Sequence, residues 1–324
     1  MKYSRALVGI AASAALALTL SGCSVGTESD VAEADVTNSF PEKPITLIVQ
    51  ANPGGGSDLS SRALADQLKV ALGVDIIVEN RPGAGGATAM EYMAGVPADG
   101  YTIGFGPVEI AMLNTTQNAD VLPENYDLLG QIMLAPGVIS VSSDSPYTTL
   151  EELVTAAKST PLTVGNSGTG SIWEAAGKGL AADSGAQFVH VPHEGGAPAV
   201  AAAIGGQIDA VVSGAGEAKA GFDDGSLRVL AVFHDEEHPN FIGVPTAAEA
   251  GYDLEFGGWG GIYAPAGLPT DVHDTLEAAI KTAVDSAPYQ DFQKNAGNLV
   301  VYRNAADWTT FVNEQFDRFA ALLG

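Results

Sequence analysis

The sequence predicts an α/β protein built as two lobes that face each other, and three observations predict it. Short β-rich runs alternate with helical patterns along the chain, the alternation that builds α/β sheets of mostly parallel strands. A unit of strand, glycine-and-serine loop and helix at Ala51–Leu68 is echoed at Val164–Ala181. The body that begins near Pro41 is about 280 residues long, enough for one large or two medium domains.

The first residues stand apart from that body. Lys2 and Arg5 form a positive start, and Ala6–Leu20 form an apolar stretch too short for a comfortable membrane span. The stretch ends in Leu20-Ser21-Gly22-Cys23, which looks like a bacterial lipobox. Residues 1–22 are therefore expected to be a lipoprotein signal peptide, with Cys23 lipidated as the new N-terminus; an ordinary cleaved signal is the alternative. Residues 23–40 carry acids, no base and no apolar period, and read as a flexible acidic tether. Cys23 is the one cysteine of the 324 residues, which excludes an internal disulfide and thiol catalysis.

From Ile45 onward the elements can be justified in order. The run at 45–50 is short, β-rich and bounded by prolines, so it reads as a buried strand. Gly54, Gly55 and Gly56 then make a turn, Ser57 or Asp58 can cap a helix start, and Leu59, Ala63, Leu64 and Leu68 recur at helical spacing. Further strands are predicted at 75–79, 101–105, 136–142, 162–166, 187–191, 208–213 and 227–233. Helices are predicted at 86–95, 149–158, 171–184, 196–205, 270–286 and 305–323. Two similar glycine turns, each opening a helix, offer free backbone N–H groups and positive helix ends to an anion. Ligands of open α/β sheets bind where such loops face each other across a cleft.

Charge narrows the partners. With 14 Lys plus Arg against 39 Asp plus Glu, the formal net charge is −25, which argues against nucleic acid. Any anionic ligand must be held against that excess by local donors.

The motifs of common chemistries are missing. The glycine loop at 54–58 has no P-loop lysine, and the lysine at Lys178 is followed by no Ser or Thr. No glycine fingerprint follows a strand, so no dinucleotide cofactor is expected, and no G-x-S-x-G elbow supplies a nucleophile. His234 and His238 stand four apart among acids, but they lack metalloprotease order and read as a solvated loop; no metal is expected. His190 reads as a buried strand residue, and His193 sits at the strand's exit, where a cleft residue would sit. Trp308 fits the core face of the last helix with Phe311, Phe316 and Phe319. Trp259, flanked by Gly257, Gly258, Gly260 and Gly261, either walls a pocket or covers a hinge.

Seven segments then converge: PEKPITLIVQANPGGGSD (41–58), VENRPGAGG (78–86), ADGYTIGFG (98–106), VPHEGGAPAV (191–200), GGQIDAV (205–211), VPTAAEAG (244–251) and APAGLP (264–269). In this order they resemble the substrate-binding receptors of tripartite tricarboxylate transporters, the Bug-type solute receptors, across residues 41–324. The resemblance implies a periplasmic-binding-protein fold of two α/β lobes joined by a two-strand hinge, with a ligand cleft between them. Lobe one would comprise 41–140 plus 260–324 and lobe two 141–259, with crossings near Val138–Ser143 and Trp259–Pro265. It implies that Gly54, Gly55, Gly56, Ser57 and Asp58 in lobe one, and Ser167, Gly168, Thr169, Gly170 and Ser171 in lobe two, close on a ligand carboxylate.

Two departures from the family pattern bear on the ligand. His193, Glu194 and Gly195 stand where many relatives have Tyr, a basic residue and Gly, and Ser213 stands where many have an acid. An acid beside the cleft would suit a ligand with a cationic or hydroxyl group.

The expected function is that of a lipid-anchored, monomeric extracytoplasmic receptor. It would capture a small carboxylate and deliver it to membrane permease subunits. A ligand-sensing subunit of a signalling protein and a hydrolase using His193 and Glu194 are the alternatives.

Overall fold

The computed structural model describes residues 39–324; the signal segment, Cys23 and the acidic tether, on which the anchoring expectation rests, lie outside the described residues. The chain opens with β1 (Ile45–Val49), α1 (Gly56–Leu72), β2 (Ile76–Asn80), α2 (Ala87–Ala94) and β3 (Thr102–Pro107). A 3-10 turn at Val108–Ala111 leads into α3 (Leu113–Gln117), and another at Pro123–Asn125 precedes the long β4 (Tyr126–Ser142). The middle alternates regularly: α4 (Leu150–Ser159), β5 (Leu162–Asn166), α5 (Ile172–Ser184), β6 (Phe188–Pro192), α6 (Gly196–Ile204), β7 (Ala210–Gly214), α7 (Ala215–Asp223) and β8 (Leu227–Phe233). The chain ends with β9 (Gly257–Pro265), α8 (Thr270–Val284), α9 (Ala287–Asn295) and α10 (Ala305–Leu323). No helix among the described residues is long and apolar enough to cross a membrane.

The nine strands form one sheet in the order β2-β1-β3-β9-β4-β7-β5-β6, with β8 on β4. Both flanks are parallel, as β-α-β crossovers require: β1 pairs with β2 and β3, and β5 with β6 and β7. The centre is antiparallel, because β4 runs out of the first half and β9 runs back into it. β4 therefore changes partners along its length. Tyr126–Pro136 pair with β9, while Gly137–Ser142 pair with β7 and β8. The expected mostly parallel sheet is thus a mixed one, since two crossing strands place antiparallel pairs at its middle. The reading of apolar runs found only the second part of β4 and passed over β9, whose glycines resemble a loop; only the family resemblance put a hinge crossing near Trp259–Pro265, within β9.

Those glycines answer to packing. A Cβ on Gly261 would come to 2.5 Å from the Gly130 carbonyl oxygen and 2.7 Å from Trp308. At Gly260 it would collide with the Phe105 ring. β9 is squeezed between aromatic side chains on both faces, so only the glycine backbone fits. Trp259 between them is 3% exposed and meets Trp308 edge-on at 5.0 Å. α10 holds this aromatic cluster down: Trp308, Val312 and Phe319 are buried along one face. The same helix reaches the second half, where Arg318 donates to the Glu255 carbonyl at 2.8 Å and lies over the Phe256 ring.

Candidate functional site

The site is assembled from helix starts. α1 follows β1 through a glycine turn whose conformation is set by Asp58. The Asp58 carboxylate accepts from the Gly54 N–H at 2.8 Å, from Arg62 Nε at 3.0 Å and from Asn80 Nδ2 at 2.8 Å. These donors, Arg62 above all, hold its carboxyl down to about 2 against desolvation. Gly54 has φ of +83°, a conformation in which glycine carries no steric cost. The Gly55 N–H is taken by the Asn52 carbonyl at 3.2 Å. The N–H groups of Gly56 and Ser57 have no partner among the described residues, as expected for a helix's first turn. The Ser57 hydroxyl accepts from Gln50 Nε2 at 3.2 Å, which leaves its own proton free to donate.

α5 begins the same way on the other half of the sheet. Ser171 caps it, accepting the Glu174 N–H at 3.2 Å, while the Glu174 carboxylate accepts the Gly170 N–H at 2.6 Å. The N–H groups of Ile172 and Trp173 have no partner among the described residues.

These two starts open into one cavity of about 480 Å³. Its walls include Ser57, Ser60, Phe105 and Glu109 from the first half, and Ser167, Ser171, Trp173 and Glu217 from the second. The crossing strands form its back, with Ala135, Gly258 and Trp259. No lysine, arginine or histidine lines it. The two halves also touch directly beside it. A Cβ on Gly216 would stand 2.7 Å from the Ala296 carbonyl oxygen, and one on Gly170 would stand 3.2 Å from the Thr116 side chain. His238, fully buried, contacts the Gly297 carbonyl through Nε2 at 3.2 Å.

Of the residues singled out from the sequence, Gly56, Ser57, Ser167, Ser171 and Trp259 line this cavity. Gly54, Gly55 and Asp58 lie just behind the α1 start and shape it. Gly168 donates its N–H to Asn166 Oδ1 at 2.9 Å and Gly170 to Glu174, so both build the α5 loop. Thr169 is exposed and outside the lining. His193 contacts the Val191 carbonyl through Nδ1 at 3.0 Å, and its ring is packed over Gly165. Glu194 is exposed outside the lining, and Ser213 is fully buried with its hydroxyl donating to the Gly214 carbonyl at 3.3 Å. His234 and His238 take different partners: His234 meets Asp235, whereas His238 packs inward against Gly297.

Two residues that sequence reading passed over stand in the walls. Glu109 lies in the turn after β3, and Glu217 in the first turn of α7. Glu109 is half-buried and Glu217 exposed at the cavity wall, and desolvation by the protein packed around them pushes both carboxyls up. A signal existed for Glu217. The run Ser213-Gly214-Ala215-Gly216-Glu217 is a third strand exit into a helix, with small residues like the other two.

Comparison with known proteins places this architecture. A TctC solute-binding protein from Polaromonas matches with a TM-score of 0.80 at 29% identity, covering 88% of this chain and 99% of that one. MatC from Rhodopseudomonas palustris, solved with bound malate, matches at 0.75 and 26% identity, covering 88% and 100%. Rpa4515 of R. palustris, solved with adipate, matches at 0.77 and 26% identity, covering 87% and 97%. The fold is the periplasmic-binding-protein fold, two α/β lobes on a two-strand hinge with the cleft between them. The model of the tripartite tricarboxylate transporter family receptor matches residues 60–324. The chain belongs to that family, and it is a solute-binding receptor rather than an enzyme.

Proposed function

We propose that this receptor captures a carboxylate-bearing small molecule outside the cytoplasm and delivers it to the membrane subunits of a tripartite tricarboxylate-type transporter. One observation carries the reading. Four unpartnered helix N–H groups, on Gly56 and Ser57 of one half and Ile172 and Trp173 of the other, belong to residues that line the same cavity. Each start adds the positive end of a helix dipole, which suits an anion where no lysine or arginine is at hand. Ser57 and Ser171 hydroxyls add donors. Solved relatives that hold malate and adipate support the same ligand chemistry.

Binding then works by closure. The partner switch of β4 at Pro136–Gly137 supports a reading in which 41–140 with 260–324 form one lobe and 141–259 the other. A ligand carboxylate bridging the starts of α1 and α5 favours the closed arrangement, because it touches both lobes only there. The lipobox pattern supports tethering at Cys23 to the outer face of a bacterial membrane. Cys23→Ala should move the protein from the membrane to the soluble fraction, and a wild-type chain lacking acyl mass would refute the anchor.

Gly55→Asp tests the grip. Gly55 occupies the cap position of α1 with φ of −74° and ψ of 165°, which aspartate adopts readily. Its carboxylate would take the N–H groups meant for the ligand and add a like charge. Calorimetry with malate, adipate and other small carboxylates should show loss of any binding that wild type has. A Cβ at Gly55 stands 3.3 Å from the Asn52 carbonyl oxygen, so the turn must ease slightly, and circular dichroism should show the variant still folded. Unchanged carboxylate affinity in the folded variant would place the grip elsewhere.

A further inference from the structure

Each of the three helix starts around the cavity carries an acid in its first turn, and their counter-charges differ. In α1 Asp58 is paired with Arg62, four residues on, at 2.9 Å. In α5 Glu174 has Lys178, again four on, at 3.5 Å. In α7 the residue four after Glu217 is Gly221, where a Cβ would come to 2.9 Å from the Leu227 side chain. That position has no room for a base. Glu217 instead rests against backbone: a Cβ on Gly196 would stand 2.5 Å from its Oε1, and the Gly214 N–H bonds its carboxylate.

Glu109 lines the same cavity from the first half. It has no hydrogen-bond or ion-pair partner on any other described residue, and Leu113 stands four positions on. Both acids line the same cavity, and no cation lines it with them. The other two helix starts around the cavity have built-in bases for their acids, which leaves Glu109 and Glu217 for the ligand to answer.

We propose that the occupant of the cleft is a zwitterion, a small carboxylate that also bears an ammonium or other cationic nitrogen. Its carboxylate sits at the starts of α1 and α5, and its cation meets Glu109 and Glu217. The proposal rests on the carboxylate reading above and adds the second charge. A cavity of about 480 Å³ takes such a molecule whole. The bound cation also relieves the crowding that pushes both carboxyls up when the cleft is empty. The rival is a dicarboxylate bound with both acids protonated, so that they donate to its second carboxylate.

Matched pairs separate these outcomes. Purified receptor is titrated by calorimetry and thermal shift with succinate against aspartate, glutarate against glutamate, adipate against 2-aminoadipate, and butyrate against 4-aminobutyrate. In the pair that fits, the aminated member should bind roughly tenfold tighter or better, the scale of a close charge pair across a binding interface. Glu109→Gln and Glu217→Gln should each shrink that preference. Glu109→Gln should leave the empty protein at least as stable as wild type, because it removes an uncompensated acid. Equal or tighter binding of the unaminated member overturns the zwitterion and leaves the carboxylate reading standing. Binding of no carboxylate in either series overturns both. A preference that survives Glu217→Gln while the empty protein loses stability reduces Glu217 to a cap of α7.

Discussion

The starts of α1 and α5 are built on one plan and executed differently. In each, a glycine N–H is held by an acid four residues later, and that acid meets a base four residues after itself: Gly54, Asp58 and Arg62 in one, Gly170, Glu174 and Lys178 in the other. α1 has no side-chain cap, and its turn depends on a short, buried aspartate clamped by three donors. α5 is capped by Ser171, and its longer glutamate reaches a base only loosely. The difference teaches where rigidity lies. The first loop is fixed by a buried charge, the second by a hydroxyl cap and backbone. Both leave two N–H groups facing the cleft.

The comparison breaks hardest at Asp58. Asp58→Asn should destabilise the protein by about 2 kcal/mol, the equivalent of a carboxyl held down from 3.8 to about 2. A direct denaturation of both proteins at neutral pH checks it, and a change near zero would mean that the clamp is ornamental. The same carboxyl sets an acid limit. Its folded value lies below its unfolded one, so its stabilisation is fully present above about pH 4 and is lost as the pH falls from there through about 2. Melting curves of wild type should therefore fall more steeply with acid than those of Asp58→Asn in that window. Parallel curves would contradict the assignment.

Ser171→Ala sharpens the other side at smaller cost. Loss of an N-cap serine removes about 1 kcal/mol, less than the Asp58 change because the Glu174–Gly170 bond remains. The more telling readout is local. Hydrogen exchange at the Glu174 and Ala175 amides, which Ser171 holds, should quicken, while the Gly54 and Gly55 amides of the α1 turn stay protected. Faster exchange at both starts would mean that the two loops are coupled through the closed cleft.

Much of this was legible beforehand. The β1-loop-α1 and β5-loop-α5 units, the helices at α4, α5, α6 and α10 and the core role of Trp308 follow from glycine placement and from periods of two and 3.6 residues. These are local rules, and the chain obeys them locally. β9 was illegible from its local pattern, and was reached only through the family resemblance, because its glycines answer to Phe105 and Trp308, far away in sequence, rather than to turn chemistry. Glu109 was illegible for a related reason. Nothing beside it in the chain marks it, and its setting exists only once β3, α7 and the crossing strands meet.

By itself, then, the sequence determined an α/β body, two anion-friendly helix starts, an acidic surface and the set of motifs that resemble the receptor family. Those properties depend on residues a few positions apart, or on composition. The tertiary structure decided which donors face one another, that Asp58 turns inward to hold its own loop, and that Thr169 and Glu194 stay outside the cavity. It also decided that two acids with no base of their own share the cavity with the four free N–H groups. Those outcomes turn on which segments the sheet order brings together, and on the burial that makes an unpaired charge costly.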